Sequence, residues 1–481
     1  MNDPALSSSR RRGRKAYFAA SLIGQAAALL RFVLLARLLG PEQLGFAAML
    51  ILTSQFFESV SDTGGDRFLI QDPEGDAPIM QRFVQLVTAG RGVCIAVALA
   101  VTAMPLAVLY KAPELAPALV ALAIAPLIAG FANLDVRRLQ RHGDFRQESA
   151  MIIVGETAAL VGTVWAALLV RDHTAVIYGL VARAVAMVIV SHISAERRYG
   201  WGYARDESLR FTKFAVPLAL NGLLLFAGSQ GDRLLIGSTV GPLALGHYSA
   251  VLLLVYYPVS AISKFVGGVH MPELAAARSD AASFDTNAQR LAGRSLLLAM
   301  MIAGAFALVG PFVTPLLYGQ AFAQGAGIFA FLGCLQAARF LRVWPTTLAI
   351  AVGRSTIVVA NNMARMIGVL VALIAGWLVH GLEAIVAGFF IGEMAALLVA
   401  LVMLSRASTI TLGPELRRAF GFFVMSVALV ASAWAVEARH LAMAAVAGAA
   451  AAATLGLVSR QERVVILEFW RQVQRRIPAL R

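Results

Sequence analysis

The chain has 481 residues, 59% of them hydrophobic and only 14% charged, with a mean hydropathy of +0.75. A water-soluble domain carries about 25% charged residues, so a soluble fold is excluded and no room is left for a soluble catalytic domain. The formal net charge of +14 would suit a nucleic-acid partner, but its distribution along the chain points elsewhere.

Residues 1–15 contain Arg10, Arg11, Arg12, Arg14 and Lys15 and no small-residue cleavage site, so they read as a basic cytoplasmic N-terminus rather than a signal peptide. Apolar runs of bilayer-crossing length, about 20 residues, then recur as far as Val458. They are continuous rather than alternating, which selects helices over a closed barrel, the other structure that pairs every backbone group in hydrocarbon. The predicted spans are 16–39, 43–66, 83–110, 114–134, 147–170, 174–195 and 211–238, then 243–270, 290–317, 322–350, 355–379, 382–404, 415–436 and 440–458, fourteen in all. Beyond them, residues 460–481 place Ile466, Trp470, Val473, Ile477 and Leu480 on one helical face, which predicts a basic amphipathic tail lying on an anionic leaflet. Cys94 and Cys334 fall inside apolar runs and read as buried thiols, with no disulfide or metal site.

Lys and Arg are counted 29 to 4 between the two sides of this topology, the four being Arg37, Lys111, Arg171 and Arg439. That bias predicts a multi-pass protein of the bacterial cytoplasmic (inner) membrane with both termini inside, and it accounts for most of the basic excess without nucleic acid.

An internal repeat organises the spans. Gly40-Pro41-Glu42-Gln43-Leu44-Gly45 joins spans 1 and 2, and Gly241-Pro242-Leu243-Ala244-Leu245-Gly246 joins spans 7 and 8. Ala175-Val176-Ile177-Tyr178-Gly179 in span 6 is echoed by Ala384-Ile385-Val386-Ala387-Gly388 in span 12. The fold class is therefore an all-α polytopic membrane protein of two six-helix lobes related as parallel repeats, with two extra C-terminal helices. The divisions are an N-lobe at 16–195, a cytoplasmic linker at 196–210, a C-lobe at 211–404, spans 13 and 14 at 415–458, and the tail.

The run Ala36-Arg37-Leu38-Leu39-Gly40-Pro41, then Asp62-Thr63-Gly64-Gly65, resembles the start of the polysaccharide transporter family. Asp232-Arg233-Leu234-Leu235-Ile236-Gly237, then Gly246-His247-Tyr248-Ser249-Ala250 and Pro272-Glu273-Leu274, resembles the start of that family's second half. These are lipid-linked oligosaccharide flippases of the multidrug/oligosaccharidyl-lipid/polysaccharide exporter superfamily. The resemblance implies two lobes that face each other across a central cavity and rock between inward- and outward-open states. It also implies a lipid-linked oligosaccharide as cargo, with membrane lipids, a polysaccharide polymerase and chain-length machinery as partners, and no cofactor.

Charges inside spans are the informative residues, since each costs about 2.5–3.5 kcal/mol at a helix centre. The basic set is Arg31, Arg91, Arg183, Arg233, Arg339, Arg342 and Arg365; the acidic set is Glu58, Asp62, Glu156, Asp232 and Glu393. Gln55, Glu58, Asp62 and Asp66 recur at helical spacing and predict one polar stripe on span 2; Gln336 lines up with Arg339, and Asn361 or Asn362 with Arg365. Arginines outnumber the acids, and a guanidinium stays charged and matches phosphate oxygens with its forked donors. The seven arginines are thus expected to line a cavity for a sugar–diphosphate head, and the acids to pair with them or couple an ion. Trp165, Tyr178, Tyr248, Tyr318, Trp344 and Trp377, near span ends, would suit stacking on sugar rings but read first as an interfacial belt. A peptidoglycan-precursor flippase and a drug–cation antiporter of the same superfamily are the alternatives, the second disfavoured by the arginine surplus. A membrane polymerase or ligase would need a reactive cluster on a sizeable outer loop. No catalytic residue or metal ligand set is found.

Overall fold

The computed structural model describes residues 4–203, 205–277, 280–379, 381–407 and 411–462, and among these no strand occurs. The amphipathic tail predicted at 460–481 lies, but for its first residues, outside the described part. Helix α1, Pro4–Val60, carries predicted spans 1 and 2 as two segments meeting at Gly40. Gly40 takes φ 78°, a left-handed value that suits a residue with no Cβ, and Pro41 after it supplies no backbone donor. Next come α2 (Gly65–Gln71) and α3 (Pro78–Leu109), the third span.

The fourth predicted span is not one rod. It consists of a 3-10 turn at Pro113–Leu115, α4 (Ala116–Leu122) and α5 (Ile124–Ala129). Pro126 has no N–H for the carbonyl of Leu122, which is where α4 stops. The tenth span breaks in the same way into α12 (Ala326–Leu341) and α13 (Val343–Ala351): Pro345 has no N–H for the Leu341 carbonyl, and Arg342 occupies the joint. The remaining elements are α6 (Asp135–Arg141), α7 (Arg146–Val170), α8 (Ala175–Ile193), α9 (Arg205–Thr239), α10 (Pro242–Ala276), α11 (Ala281–Tyr318), α14 (Ser355–Val379), α15 (Leu382–Ala407), α16 (Leu412–Glu437) and α17 (Leu441–Gln461). Helix α11 starts well before its apolar run because Asp280 caps it, accepting from the Ala282 N–H at 3.1 Å. Among the described residues twelve helices are long and apolar enough to cross a membrane. Since α1 holds two spans and the apolar stretch Pro113–Ala129 accounts for the fourth, each of the fourteen predicted spans has a helical counterpart. The chain is a multi-pass membrane protein.

The predicted polar stripe on span 2 does not form. Helix α1 ends at Val60 and four residues separate it from α2, so Asp62 and Asp66 leave the face that carries Gln55 and Glu58. The stop is chemical: Asp62 Oδ1 accepts the Gly64 N–H at 2.9 Å, and Gly64 itself takes φ 65°.

Two compact units divide the chain, Met1–Ser249 and Ala250–Arg481. In the first, α7 and α8 lie so close that a Cβ on Gly179 would stand 1.8 Å from Thr163 Oγ1. In the second, α14 and α15 pair alike: a Cβ on Gly388 would stand 2.6 Å from the Ala372 Cα, and one on Gly368 2.6 Å from the Gly392 Cα. Small residues allow this approach, which in lipid must be won by packing rather than by a hydrophobic drive. The core of the second unit includes Leu296, Ala303, Phe340, Trp344, Leu401 and Phe422.

The repeated Gly-Pro motifs meet inside the first unit. A Cβ on Gly45 would fall 1.8 Å from the Pro242 carbonyl oxygen, and one on Gly246 would fall 1.8 Å from the Pro41 carbonyl oxygen. The last glycine of each copy thus receives the proline carbonyl of the other, a reciprocal contact of the kind a local twofold axis generates. Both Gly-Pro turns are helix joints, as their spacing predicts, with Gly241 at φ 116°.

Two expectations about individual side chains are corrected. Cys334 is buried, whereas Cys94 on α3 is exposed. Trp165, Tyr178 and Trp377 are exposed as belt residues would be, but Tyr248, Tyr318 and Trp344 are buried in helix packing. Position near a span end does not reveal which face of the helix a ring occupies.

Candidate functional site

Five of the seven intramembrane arginines gather on two carboxylates, one in each unit. In the first unit the Gly179 contact brings α7 against α8, so that Glu156 on α7 faces Arg183 on α8. Arg183 Nε donates to Glu156 Oε1 at 2.9 Å, and Arg31 Nη1 on α1 stands 3.6 Å from Glu156 Oε2. Packing of α1 on α7 is close at this level: a Cβ on Gly24 would reach the Ile152 and Glu156 side chains.

In the second unit Glu393 on α15 is shared by three guanidiniums. Arg365 on α14 approaches Oε1 with Nε at 3.0 Å and Nη2 at 2.9 Å. Arg342, at the α12–α13 joint, donates its Nε to Oε2 at 2.8 Å, and Arg339 donates its Nε to Oε1 at 3.4 Å. The Glu393 side chain is 2% exposed and that of Arg365 6%, against 13% and 15% for Arg339 and Arg342. Asn361, with its amide turned to satisfy its neighbours, accepts from Arg342 Nη1 at 3.1 Å and donates to the Ala396 carbonyl at 3.2 Å. Gln336 and Asn362 are buried too. A cluster of several guanidiniums around one carboxylate is a place where further negative charge is favoured.

The other two arginines have different partners. Arg91 on α3 donates Nε to Ser61 Oγ at 3.0 Å and Nη2 to the Glu58 carbonyl at 2.6 Å, so it holds the C-terminal turn of α1. Arg233 donates Nη1 to Gln230 Oε1 at 3.1 Å. Its neighbour Asp232 is fully buried; Oδ2 accepts the Tyr248 hydroxyl at 2.8 Å and Oδ1 the Arg233 N–H at 2.9 Å. Asp62 shapes the turn after α1 and stands 3.8 Å from Arg67. Glu58 accepts from Ser54 Oγ at 2.9 Å. Lys264 is exposed, as a snorkelling side chain would be.

Tyr248 was not legible as a partner of Asp232 from type or exposure. A signal lies in the spacing: Asp232 stands nine residues before Gly241 and Tyr248 six after Pro242, so a tight helical hairpin brings the long Tyr248 side chain within reach of Asp232. A second omission concerns the segments between spans. Their arginines carry the topology signal, yet many are also paired with acids. Arg138 Nε lies 2.6 Å from the buried Asp135 Oδ1 and Nη2 lies 2.6 Å from Glu196. Burial by itself would raise the Asp135 carboxyl, but the Arg138 hydrogen bond and the Arg197 and Glu196 backbone N–H groups outweigh it and hold the pKa below the ordinary carboxylate value. Arg138 is correspondingly raised by its hydrogen bond to Asp135. Arg141 donates to the carbonyls of Leu69, Ile70, Asp72 and Pro73, closing the end of α2.

Among the described residues no group of acids, histidines and cysteines is arranged to hold a metal. Residues 34–326 match the family described as polysaccharide biosynthesis protein. No curated protein matches the chain. Of the solved structures, the lipid II flippase MurJ in an inward closed conformation aligns over 94% of this chain and 99% of its own, with a TM-score of 0.61 at 12% identity. An inward-facing multidrug resistance transporter of the MATE family, in the MOP superfamily, aligns over 80% and 94%, with a TM-score of 0.58 at 15% identity. A MOP superfamily transporter from Pyrococcus furiosus, described as having a binding pocket of reverse polarity, aligns over 84% and 97%, with a TM-score of 0.56 at 15% identity. At such identities the likeness is one of fold.

Proposed function

The chain belongs to the polysaccharide biosynthesis protein family, and on that premise we propose that it is a flippase for a lipid-linked oligosaccharide. Its cargo is a polyprenyl-diphosphate-linked repeat unit, carried from the cytoplasmic to the outer leaflet of a bacterial inner membrane by alternating access, for polysaccharide export. It works as a transporter, not an enzyme. The observation that supports the reading is the sharing of one buried carboxylate, Glu393, by Arg339, Arg342 and Arg365. A diphosphate carries about two negative charges, and taking unpaired ions out of water costs tens of kcal/mol by the Born estimate. Guanidiniums held ready in the span region offset that cost with charge-assisted hydrogen bonds while the tail stays in lipid. An interior-negative potential then favours outward movement of two charges by about 4–5 kcal/mol per 100 mV.

The test is transfer of a fluorescent lipid-linked oligosaccharide across liposomes holding the purified protein, scored by accessibility to an impermeant quencher. An inside-negative potential is expected to speed outward transfer, and Arg342→Ala to slow it more than Arg342→Lys. Transfer no faster than in empty liposomes would reject the proposal. A peptidoglycan precursor carries the same diphosphate, so competition between the two lipids measures which glycan the protein selects.

A further inference from the structure

The duplication extends to the charges. At the 201-residue offset that lays Gly40-Pro41 on Gly241-Pro242, Arg31 falls on Asp232. At the 209-residue offset that lays Gly179 on Gly388, Thr163 falls on Ala372 and Glu156 on Arg365. The structure supports that register, because Gly179 packs on Thr163 as Gly388 packs on Ala372. Glu393 stands one residue past the counterpart of Arg183. The first copy therefore reads positive, negative, positive, and the second reads negative, positive, negative. Within each helical hairpin the pair is made at the same length: Glu156 Oε1 to Arg183 Nε is 2.9 Å, and Glu393 Oε1 to Arg365 Nη2 is 2.9 Å.

An ion pair that survives reversal of both signs acts through the attraction between its two helices. A side chain that recognises a charged cargo has no such freedom, because reversing it turns attraction into repulsion. Arg339 and Arg342 fall outside the duplicated pattern: laying the Pro345 break of the tenth span on the Pro126 break of the fourth puts them on Val120 and Ala123, and residues 113–134 contain neither Lys nor Arg. They also give the second-unit cluster its charge. Arg365 and Glu393 alone are neutral, and with Arg339 and Arg342 the set carries two net positive charges. Both added side chains are more exposed than Arg365.

We infer that Glu156–Arg183 and Arg365–Glu393 are one interhelical lock duplicated with inverted polarity, and that Arg339 and Arg342 set the sign of the cargo. The second half of this inference rests on the flippase reading; the first does not.

Two sets of variants of the full-length protein in detergent test it. The lock is read as a thermal midpoint without added lipid, for Glu156→Arg, Arg183→Glu, and the full reversal Arg31→Asp, Glu156→Arg, Arg183→Glu. The single reversals are expected to lower the midpoint and the full reversal to recover most of the loss. Should a single reversal fail to fold, Glu156→Gln, Arg183→Gln and their double variant give the same coupling, with a double loss smaller than the sum. A full reversal no more stable than the worse single, or additive losses in the Gln series, overturns the lock. The cargo half is read as binding of undecaprenyl diphosphate and of tetraphenylphosphonium to the doubly substituted Arg339→Gln, Arg342→Gln protein. We expect diphosphate binding weakened at least about tenfold, equal to one decade in the dissociation constant, and phosphonium binding gained. Diphosphate binding within about twofold of wild type overturns it. A wild-type protein that binds no diphosphate lipid rejects the flippase reading instead, and the phosphonium comparison still decides whether the two arginines set the sign.

Discussion

Gly45 and Gly246 offer the sharpest test of the packing, because the same obstacle is predicted twice. Alanine at either site would place its Cβ 1.8 Å from a backbone carbonyl oxygen, that of Pro242 or of Pro41. Carbon and oxygen pack no closer than about 3.3 Å, so each methyl demands roughly 1.5 Å of separation between the two Gly-Pro joints. No rotamer change relieves it, since the obstacle is main chain at a helix joint. Overpacking of this kind costs about 1–3 kcal/mol per site. One displacement of the joints clears both contacts, however, so the double variant is expected to lose about as much as one single variant, well short of the sum. Gly90→Ala is the control: nothing lies within 4 Å of its Cβ position in the middle of α3, and alanine favours a helix. Unfolding of purified protein by SDS in mixed micelles gives the free energies. Additive losses, or a single alanine within about 0.5 kcal/mol of wild type, would refute the reciprocal contact.

Other outcomes follow from the same observations. In a protein with Cys94 and Cys334 replaced by alanine, cysteines at Lys111 and Gln320, both exposed, should label with an impermeant reagent from outside the cell, and one at His142 should not. Outside labelling at His142 would overturn the orientation. Glu393→Gln removes the carboxylate shared by three guanidiniums and should destabilise the protein by about 3–5 kcal/mol, seen as loss of folded protein in the membrane. Asp135→Asn should destabilise at pH 7, because the folded carboxyl titrates below its unfolded value. That contribution is complete above the unfolded pKa and disappears as pH falls through the lowered folded one, so unfolding curves of variant and wild type should converge in acid. A difference that persists unchanged at low pH would assign Asp135 a role other than charge.

How far the sequence reveals this protein depends on the length scale of the signal. A span needs about 20 apolar residues, and that averaging makes all fourteen visible despite the prolines that divide two of them. The breaks themselves were also written in the chain, at Pro126 and Pro345, but hydropathy does not register a missing N–H. Asp62 shows the opposite failure. Helical spacing places it on a stripe with Gln55 and Glu58, while its short side chain and Gly64 end the helix first. The arginine surplus was legible as a count, because lipid makes every charge conspicuous. Its division was not: Arg91 holds a helix end, and Arg31 and Arg183 share Glu156. Glu393 collects three more, which no count of charges distinguishes from the rest. What separates them is register between helices distant in sequence, fixed by glycines whose only mark is the absence of a side chain. Gly179 and Gly388 carry that information twice, and lining up the two copies through them is what shows the acid of one standing where the base of the other stands. A repeat read only for matching letters discards such positions. Read for opposite charges as well, it separates the pairs that join helices from the arginines that the second copy adds.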